Sequence, residues 1–403
     1  MPRSSLPAAL VLLVPLPAWG QAMTLAQART RAERFGPPVE LAQRQQEVAR
    51  ADVAMAGALA NPTASVQTSK LASRMIAGAS LPLPLFGQRG KAVDAARADA
   101  AAVALERDIG RITARWSATN AWVDLWAAQG RAQLLALASE ESVRLLQISR
   151  ERFEAGSAPR LDFVRATADR ARAQAEAGWA RAAVDAAAAR LVPWTAGDPN
   201  ELPRATGTPS PPPTLPPLSQ VAQRAQDHPL LRRDRARVTA AGAHVALEQR
   251  LRVPVPSAEV SVEYRDRTNE DRTDVIGGLS FELPLLNWRG GAIGRARAEK
   301  GAAETTFALD ERQLRSEVND AYHTTRAAAA RSRELREAVL PAMDEARRMS
   351  EEGYRAGRLD IVRLIEAQHA VLDARLAVLD AMVTWCHALA DLERSAGVEL
   401  YAR

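Results

Sequence analysis

Five histidines and one cysteine are the side chains with which this chain could ligate a metal or run nucleophilic chemistry. His228, His244, His323, His369 and His387 show no ligand spacing with one another. Cys386 and His387 are sequence neighbours. On a helix their side chains point about 100° apart, a poor geometry for shared ligation or for a nucleophile and its base. No glycine-rich phosphate loop occurs, because Gly277-Gly278 falls in a strand pattern. The residues therefore predict no enzyme, no cofactor and no resident metal.

The elements around them explain why chemistry is sparse. The 403-residue chain is 47% hydrophobic but only 4% aromatic, and alanine supplies much of the apolar share. Alanine favours helix yet fills little volume, so close helix–helix seams fit better than a thick core. The formal charge is +5, carried by arginine, with lysine only at Lys70, Lys91 and Lys300. Arginines alternate with acids and form no basic block, which reads as solvated helix faces and predicts no nucleic-acid partner. A lone Cys386 leaves no intrachain disulfide, no Cys-rich metal site and no cysteine for a lipid at the leader's end.

At the N-terminus, Arg3 precedes an apolar run from Leu6 to Leu16 and the small residues of Ala18-Trp19-Gly20. This pattern predicts a signal peptide over residues 1–20, with the mature chain starting near Gln21. The run is too short to span a bilayer, and no later segment approaches the roughly 18 consecutive apolar residues of a spanning helix.

Two phrases occur twice. Leu83-Pro84-Leu85-Phe86-Gly87-Gln88-Arg89-Gly90 stands against Leu283-Pro284-Leu285-Leu286-Asn287-Trp288-Arg289-Gly290. Phe153-Glu154-Ala155-Gly156 stands against Tyr354-Arg355-Ala356-Gly357, followed by Leu161-Asp162 and Leu359-Asp360. The chain is thus a duplicated unit: a first repeat over 21–192, a proline-rich linker over 193–217 and a second repeat over 218–403.

Each repeat opens with a short helix, with Thr24 and Ser219 as expected N-caps, and a second helix after Pro37-Pro38 or Pro229. The apolar period then changes to two. Val260, Val262 and Tyr264 alternate with Glu259, Ser261 and Glu263. Across a polar turn at 267–272, Val275, Gly277, Leu279, Phe281 and Leu283 share their face, and Met75, Ala77, Ala79, Leu81 and Leu83 match them in the first repeat. This predicts one β-hairpin per repeat, at about 62–84 and about 256–284, with strands of roughly the 10 residues that cross a membrane. Gly90 and Gly290-Gly291 are expected to turn the chain into long helices, 91–155 and 293–356, the second bent near Pro341. Gly156 and Gly357 end them, and helices return from Asp162 and Asp360. In the last of these, Leu364, Ala367, Val371, Ala374 and Val378 mark one seam and Ile361, Ile365, Leu372 and Leu379 a second. Two seams place a helix between neighbours, as in a cylinder's wall.

Lipid-embedded sheets must close, and four strands fall short of the about eight in the smallest membrane barrels. Several chains must then share one barrel, which points to an oligomeric channel.

In its duplication, its Leu83-to-Arg89 phrase, and Tyr354 and Gly357 followed by Ile361-Val362 and Glu366-Ala367, the chain resembles the TolC family of outer membrane efflux proteins, nearest their heavy-metal (CzcC-like) branch. The resemblance covers essentially the whole mature chain. It implies a mainly α fold with a membrane β-barrel, in which a homotrimer shares twelve strands in outer-membrane lipid and continues as a periplasmic α-barrel of long coiled-coil helices. It also implies a passive exit duct working with a periplasmic adaptor and an inner-membrane RND-type transporter, with metal cations as cargo. Carried over residue by residue, Phe153, Gly156, Leu161, Asp162, Tyr354, Gly357, Leu359 and Asp360 form the tip that meets the adaptor. Arg363 and Glu366, one helical turn apart and able to pair, stand at the pore constriction, where family members often carry two acids. A soluble periplasmic coiled-coil adaptor or structural protein is the alternative reading, though adaptors place their helical hairpin once and this chain has two.

Overall fold

Thr24 caps the first helix, α1 (Leu25–Phe35), in a reciprocal box: its hydroxyl accepts from the Gln27 backbone and its own N–H donates to the Gln27 side chain at 2.9 Å. The computed structural model describes residues 21–69, 74–211, 214–265 and 272–401. The predicted signal peptide lies outside the described residues, as does most of the 267–272 turn. The short strand β1 (Ala22–Met23) precedes α1, and α2 (Pro37–Gly57) follows it with proline at its first turn. In the second repeat the matching pair is α5 (Leu218–Ala225) and α6 (Pro229–Arg250). Ser219 is not a cap: α5 starts one residue earlier, after Pro217.

Both hairpins form. β2 (Thr63–Ser69) and β3 (Arg74–Pro82) pair antiparallel, as do β5 (Ser257–Arg265) and β6 (Arg272–Ser280). A third antiparallel ladder joins β3 to β5, so the two repeats share one sheet in the order β2-β3-β5-β6. Its register sets Met75 opposite Tyr264, Ala77 opposite Val262 and Val262 opposite Val275, the shared apolar face that the alternation predicts. The nine-residue strands are about 30 Å long.

Leu83-Pro84-Leu85 and Leu283-Pro284-Leu285 make the same tight turn, with Leu85 N–H donating to the Leu83 carbonyl and Leu285 N–H to the Leu283 carbonyl, each at 2.8 Å. The turn into the helix differs from expectation. Gly87 (φ 83°) and Arg289 (φ 55°) take the left-handed conformation, while Gly90 and Gly290 lie inside the first turns of α3 (Gln88–Glu154) and α7 (Gly290–Glu334).

α3 runs unbroken for 67 residues, about 100 Å. Its counterpart is broken: α7 passes through a π-helical turn, Leu335–Val339, into α8 (Leu340–Arg355). Leu340 N–H donates five residues back to Leu335. Pro341 has no N–H and its ring clashes with the carbonyl four residues earlier, and the widened turn relieves that clash. The return helices are α4 (Arg160–Thr195) and α9 (Ile361–Ala396). α4 absorbs Pro193, so the linker starts at residue 196 and not at 193. Within it, β4 (Arg204–Ala205) pairs in parallel with β1.

On the sheet side of the molecule's middle the helices pack in the order α2-α3-α6-α7, and on the far side in the order α4-α3-α9-α8. α9 is buried along both predicted seams, with Leu364, Val371 and Ala374 on one and Ile361, Leu379 and Cys386 on the other. The main core sits at the middle, where Trp122, Leu125, Leu191 and Leu389 pack with Met23 and Tyr401. Trp122 donates its indole N–H to the Met23 carbonyl at 2.8 Å.

Candidate functional site

The eight predicted tip residues lie in the α3–α4 and α8–α9 turns. Both turns close alike. Gly156 (φ 68°) donates to the Phe153 carbonyl and Ser157 to Arg152; Gly357 (φ 69°) donates to Tyr354 and Arg358 to Gly353. This is the double bond of a glycine-terminated helix. The return starts four residues after each glycine, at Arg160 and Ile361. The structural equivalent of Asp360 is therefore Pro159, not Asp162. Asp360 caps α9, accepting from Arg363 N–H at 3.0 Å, whereas Asp162 sits in the first turn of α4, near its positive end. Leu359 folds back so that a Cβ on Gly353 would meet its Cδ1 at 2.7 Å.

The two turns meet. Arg152 of the first lies over the Tyr354 ring of the second, 4.8 Å from its centroid. Tyr354 is buried with Leu145, Ala166, Ile361 and Leu364, from all four helices of this end. Phe153 instead stacks on Phe163 at 6.0 Å and stays 39% exposed. Leu161 and Leu359 are exposed as well.

Arg363 and Glu366 do pair, at 3.2 Å, with side chains 70% and 58% exposed. Such a pair contributes about 0.3–0.5 kcal/mol, and it lies within one helix, so it joins nothing to its neighbour. The residues that tie the hairpins together are others. His369 of α9 donates its Nε2–H to the Asp169 carboxylate of α4, 2.8 Å away, and the Arg172 guanidinium reaches the same ring at 3.2 Å. Gln368 donates to Glu141 of α3 at 3.2 Å. The α4–α9 groove beside them is lined by Arg165, Val362, Ile365 and Glu366. Sequence reasoning missed Asp169, Arg172 and Arg152, because α9 also carries Arg363, Arg375, His387 and Arg394 and nothing in its own pattern singles out His369.

Cys386 is buried, and burial pushes its thiol up to about 11, which leaves it without thiolate at neutral pH. Among the described residues no three His, Cys, Asp or Glu side chains are grouped to hold a metal ion, and no helix is long and apolar enough to cross a membrane. The sheet is the apolar surface instead. Val66, Val260, Val275 and Leu279 share its one face at 57–73% exposure. On the other face Glu263 is 3% exposed and pairs with Arg74 at 3.1 Å.

The sequence profile of the outer membrane efflux proteins matches residues 37–197 and 221–398. The chain belongs to that family. Family membership accounts for the duplication, each matched segment covering one repeat, and makes the protein a channel and not an enzyme. Among curated efflux-family relatives, the cobalt-zinc-cadmium resistance protein CzcC of Cupriavidus metallidurans is 22% identical over 335 residues, 82% of this chain and 78% of the relative. A membrane protein from Pseudomonas aeruginosa has the same fold, with a TM-score of 0.77 at 20% identity over 93% of each chain. The CusC channel superposes with a TM-score of 0.77 at 13% identity over 94% of each. The efflux fold is thus mainly α with a small antiparallel sheet, as the periodicities predict.

Proposed function

We propose that three copies of this chain close into an exit duct, a twelve-stranded barrel in the outer membrane continued by a periplasmic helical barrel, which passes metal cations outward without chemistry of its own. One observation carries the reading: the four-stranded sheet has an apolar face turned outward and two open edges, β2 and β6. In lipid every unpaired backbone group at those edges costs several kcal/mol, about 2–7 each. Pairing β6 of one copy with β2 of the next removes both edges at once.

The helices support the same closure. The sheet-side layer ends in α2 and α7, and the far layer in α4 and α8. In every layer one edge belongs to the first repeat and the other to the second. Such a head-to-tail contact gives a ring where its rotation closes and an open filament where it does not, and the cost of an open sheet edge in lipid favours the ring.

The turns holding Phe153, Gly156, Leu161, Asp162, Tyr354, Gly357, Leu359 and Asp360 then form the periplasmic tip. Exposed Phe153, Leu161 and Leu359 offer a periplasmic adaptor an apolar docking surface, and the adaptor links the duct to an inner-membrane transporter of the RND type. Arg363 and Glu366 line the constriction as a mixed-charge ring, while the His369–Asp169 pair holds the two hairpins of each copy together. Likeness to a cobalt-zinc-cadmium resistance protein supports divalent metals as cargo.

Deletion followed by growth on cobalt, zinc, cadmium and a drug panel tests the cargo. Selective metal sensitivity is expected, and drug sensitivity alone would overturn it. Fractionation tests the duct, which predicts a trimer in the outer membrane and not a soluble monomer.

A further inference from the structure

The junction between the two repeats inside one chain is a template for the junction between chains. Inside the chain, the strand-to-helix elbow of the first repeat seats on the link between α6 and β5. Leu83 N–H donates to the Pro256 carbonyl at 2.7 Å, and the Phe86 carbonyl accepts from Arg250. Gln88, 4% exposed, donates its side-chain amide to the Val253 carbonyl at 3.1 Å.

The second elbow makes the same Leu-Pro-Leu turn but hangs at the rim, between edge strand β6 and edge helix α7. There Leu286 is 100% exposed and Trp288 63%, against 45% for Phe86 at the seated elbow, while Leu85 and Leu285 are alike at 69% and 73%. Surface leucines scattered singly need no partner, but Leu286 and Trp288, bared together, mark a docking patch.

The repeat tells what belongs there. In letters Leu286 and Trp288 match Phe86 and Gln88, but the left-handed residue before each long helix is Gly87 in the first repeat and Arg289 in the second, so in place Trp288 answers Phe86. On the receiving side, Asn61-Pro62 matches Val253-Pro254, so Ala58 takes the place of Arg250. That open rim is apolar too, with Met55 71% and Leu59 64% exposed. With Ala58 in the place of Arg250, the guanidinium that holds the Phe86 carbonyl inside the chain has no counterpart at the free rim. Pairing β6 with β2 of the next copy would bring these rims level with one another.

We infer that Leu286 and Trp288 of one copy pack on Met55 and Leu59 of the next, sealing the duct where the barrel meets the helices. This rests on the ring closure proposed above.

The test uses the full chain in outer membranes, with Cys386→Ser as background. Leu59→Cys and Leu286→Cys are combined and treated with a short bis-maleimide. Dimer and trimer bands on a denaturing gel are expected from the double variant and not from either single one. A trimer by native mass spectrometry without these bands overturns the inference and leaves the ring standing; no trimer at all overturns both. An environment-sensitive label on Leu286→Cys should escape quenching by brominated lipid while the same label on Val275→Cys is quenched. Equal quenching places the elbow in lipid and overturns the inference. Trp288→Ala should abolish the detergent-resistant trimer band, and Trp288→Phe should restore part of it.

Discussion

His228 donates its Nε2–H to the carbonyl of Arg394 at 3.0 Å, joining the start of α6 to the end of α9. Its Nδ1 accepts from Leu230 N–H at 3.1 Å as the N-cap of α6, which fixes the neutral tautomer. Gly397 (φ 67°) ends α9 so close that a Cβ there would meet the His228 ring at 2.7 Å. Burial, first, and the nearby Arg394 charge depress the imidazole below its ordinary value of 6.5. A proton on Nδ1 would also destroy the cap.

Stability should therefore be fully present above about pH 6.5 and decline as pH falls from there towards the depressed value, because the unfolded chain binds that proton first. Thermal unfolding between pH 7.5 and 5 measures it. His228→Asn, which keeps a capping side chain, should flatten this part of the profile; an unchanged slope would assign the pH dependence elsewhere.

Glu393 serves three partners at 3% exposure. One carboxylate oxygen accepts from Arg29 at 2.8 Å, and the other from the Tyr401 N–H at 2.7 Å and from the Leu400 N–H. Arg29→Met should lower stability by about 3–5 kcal/mol, since a buried carboxylate loses its counter-ion. The double variant Arg29→Met, Glu393→Leu should recover much of that loss yet free the C-terminal segment, read as faster amide exchange at Leu400 and Tyr401.

Gly156→Ala and Gly357→Ala each place a Cβ at positive φ, a strain of about 1–2 kcal/mol. Hydrogen exchange should rise in the α3–α4 turn for the first and in the α8–α9 turn for the second. Gly353→Ala has ordinary helix geometry but drives Leu359 outward. It should leave the fold intact and weaken adaptor binding, if the tip docks as proposed.

If hairpin ties hold the duct shut, His369→Ala and Asp169→Asn should raise single-channel conductance in planar bilayers. Replacing Arg363 and Glu366 together by Ala should change ion selectivity and the closed state; no change from the double variant would remove those residues from the constriction.

How much of this was readable in advance depended on the range of the interaction. The Leu-Pro-Leu turns, the hairpin faces and the two seams of α9 are local patterns of period two or near 3.5, and each stands in the sequence. Leu161-Asp162 misled because it copies Leu359-Asp360 in letters but not in place: Pro159 does by its fixed φ what Asp360 does by capping. Gly87 and Arg289 share the left-handed conformation although only one is glycine. The ties Asp169–His369 and Arg152–Tyr354 join residues 200 or so positions apart, and no spacing rule in a single sequence reaches that far.

The π-helical turn at Leu335–Val339 gives the two hairpins unequal stiffness. The first hangs from one uninterrupted rod; the second hangs from a rod with a soft joint partway down. A sideways load at the tip bends a jointed beam before a solid one, so the same push displaces Tyr354 further than Phe153. Duplication made the halves alike in shape, and one proline made them differ as levers.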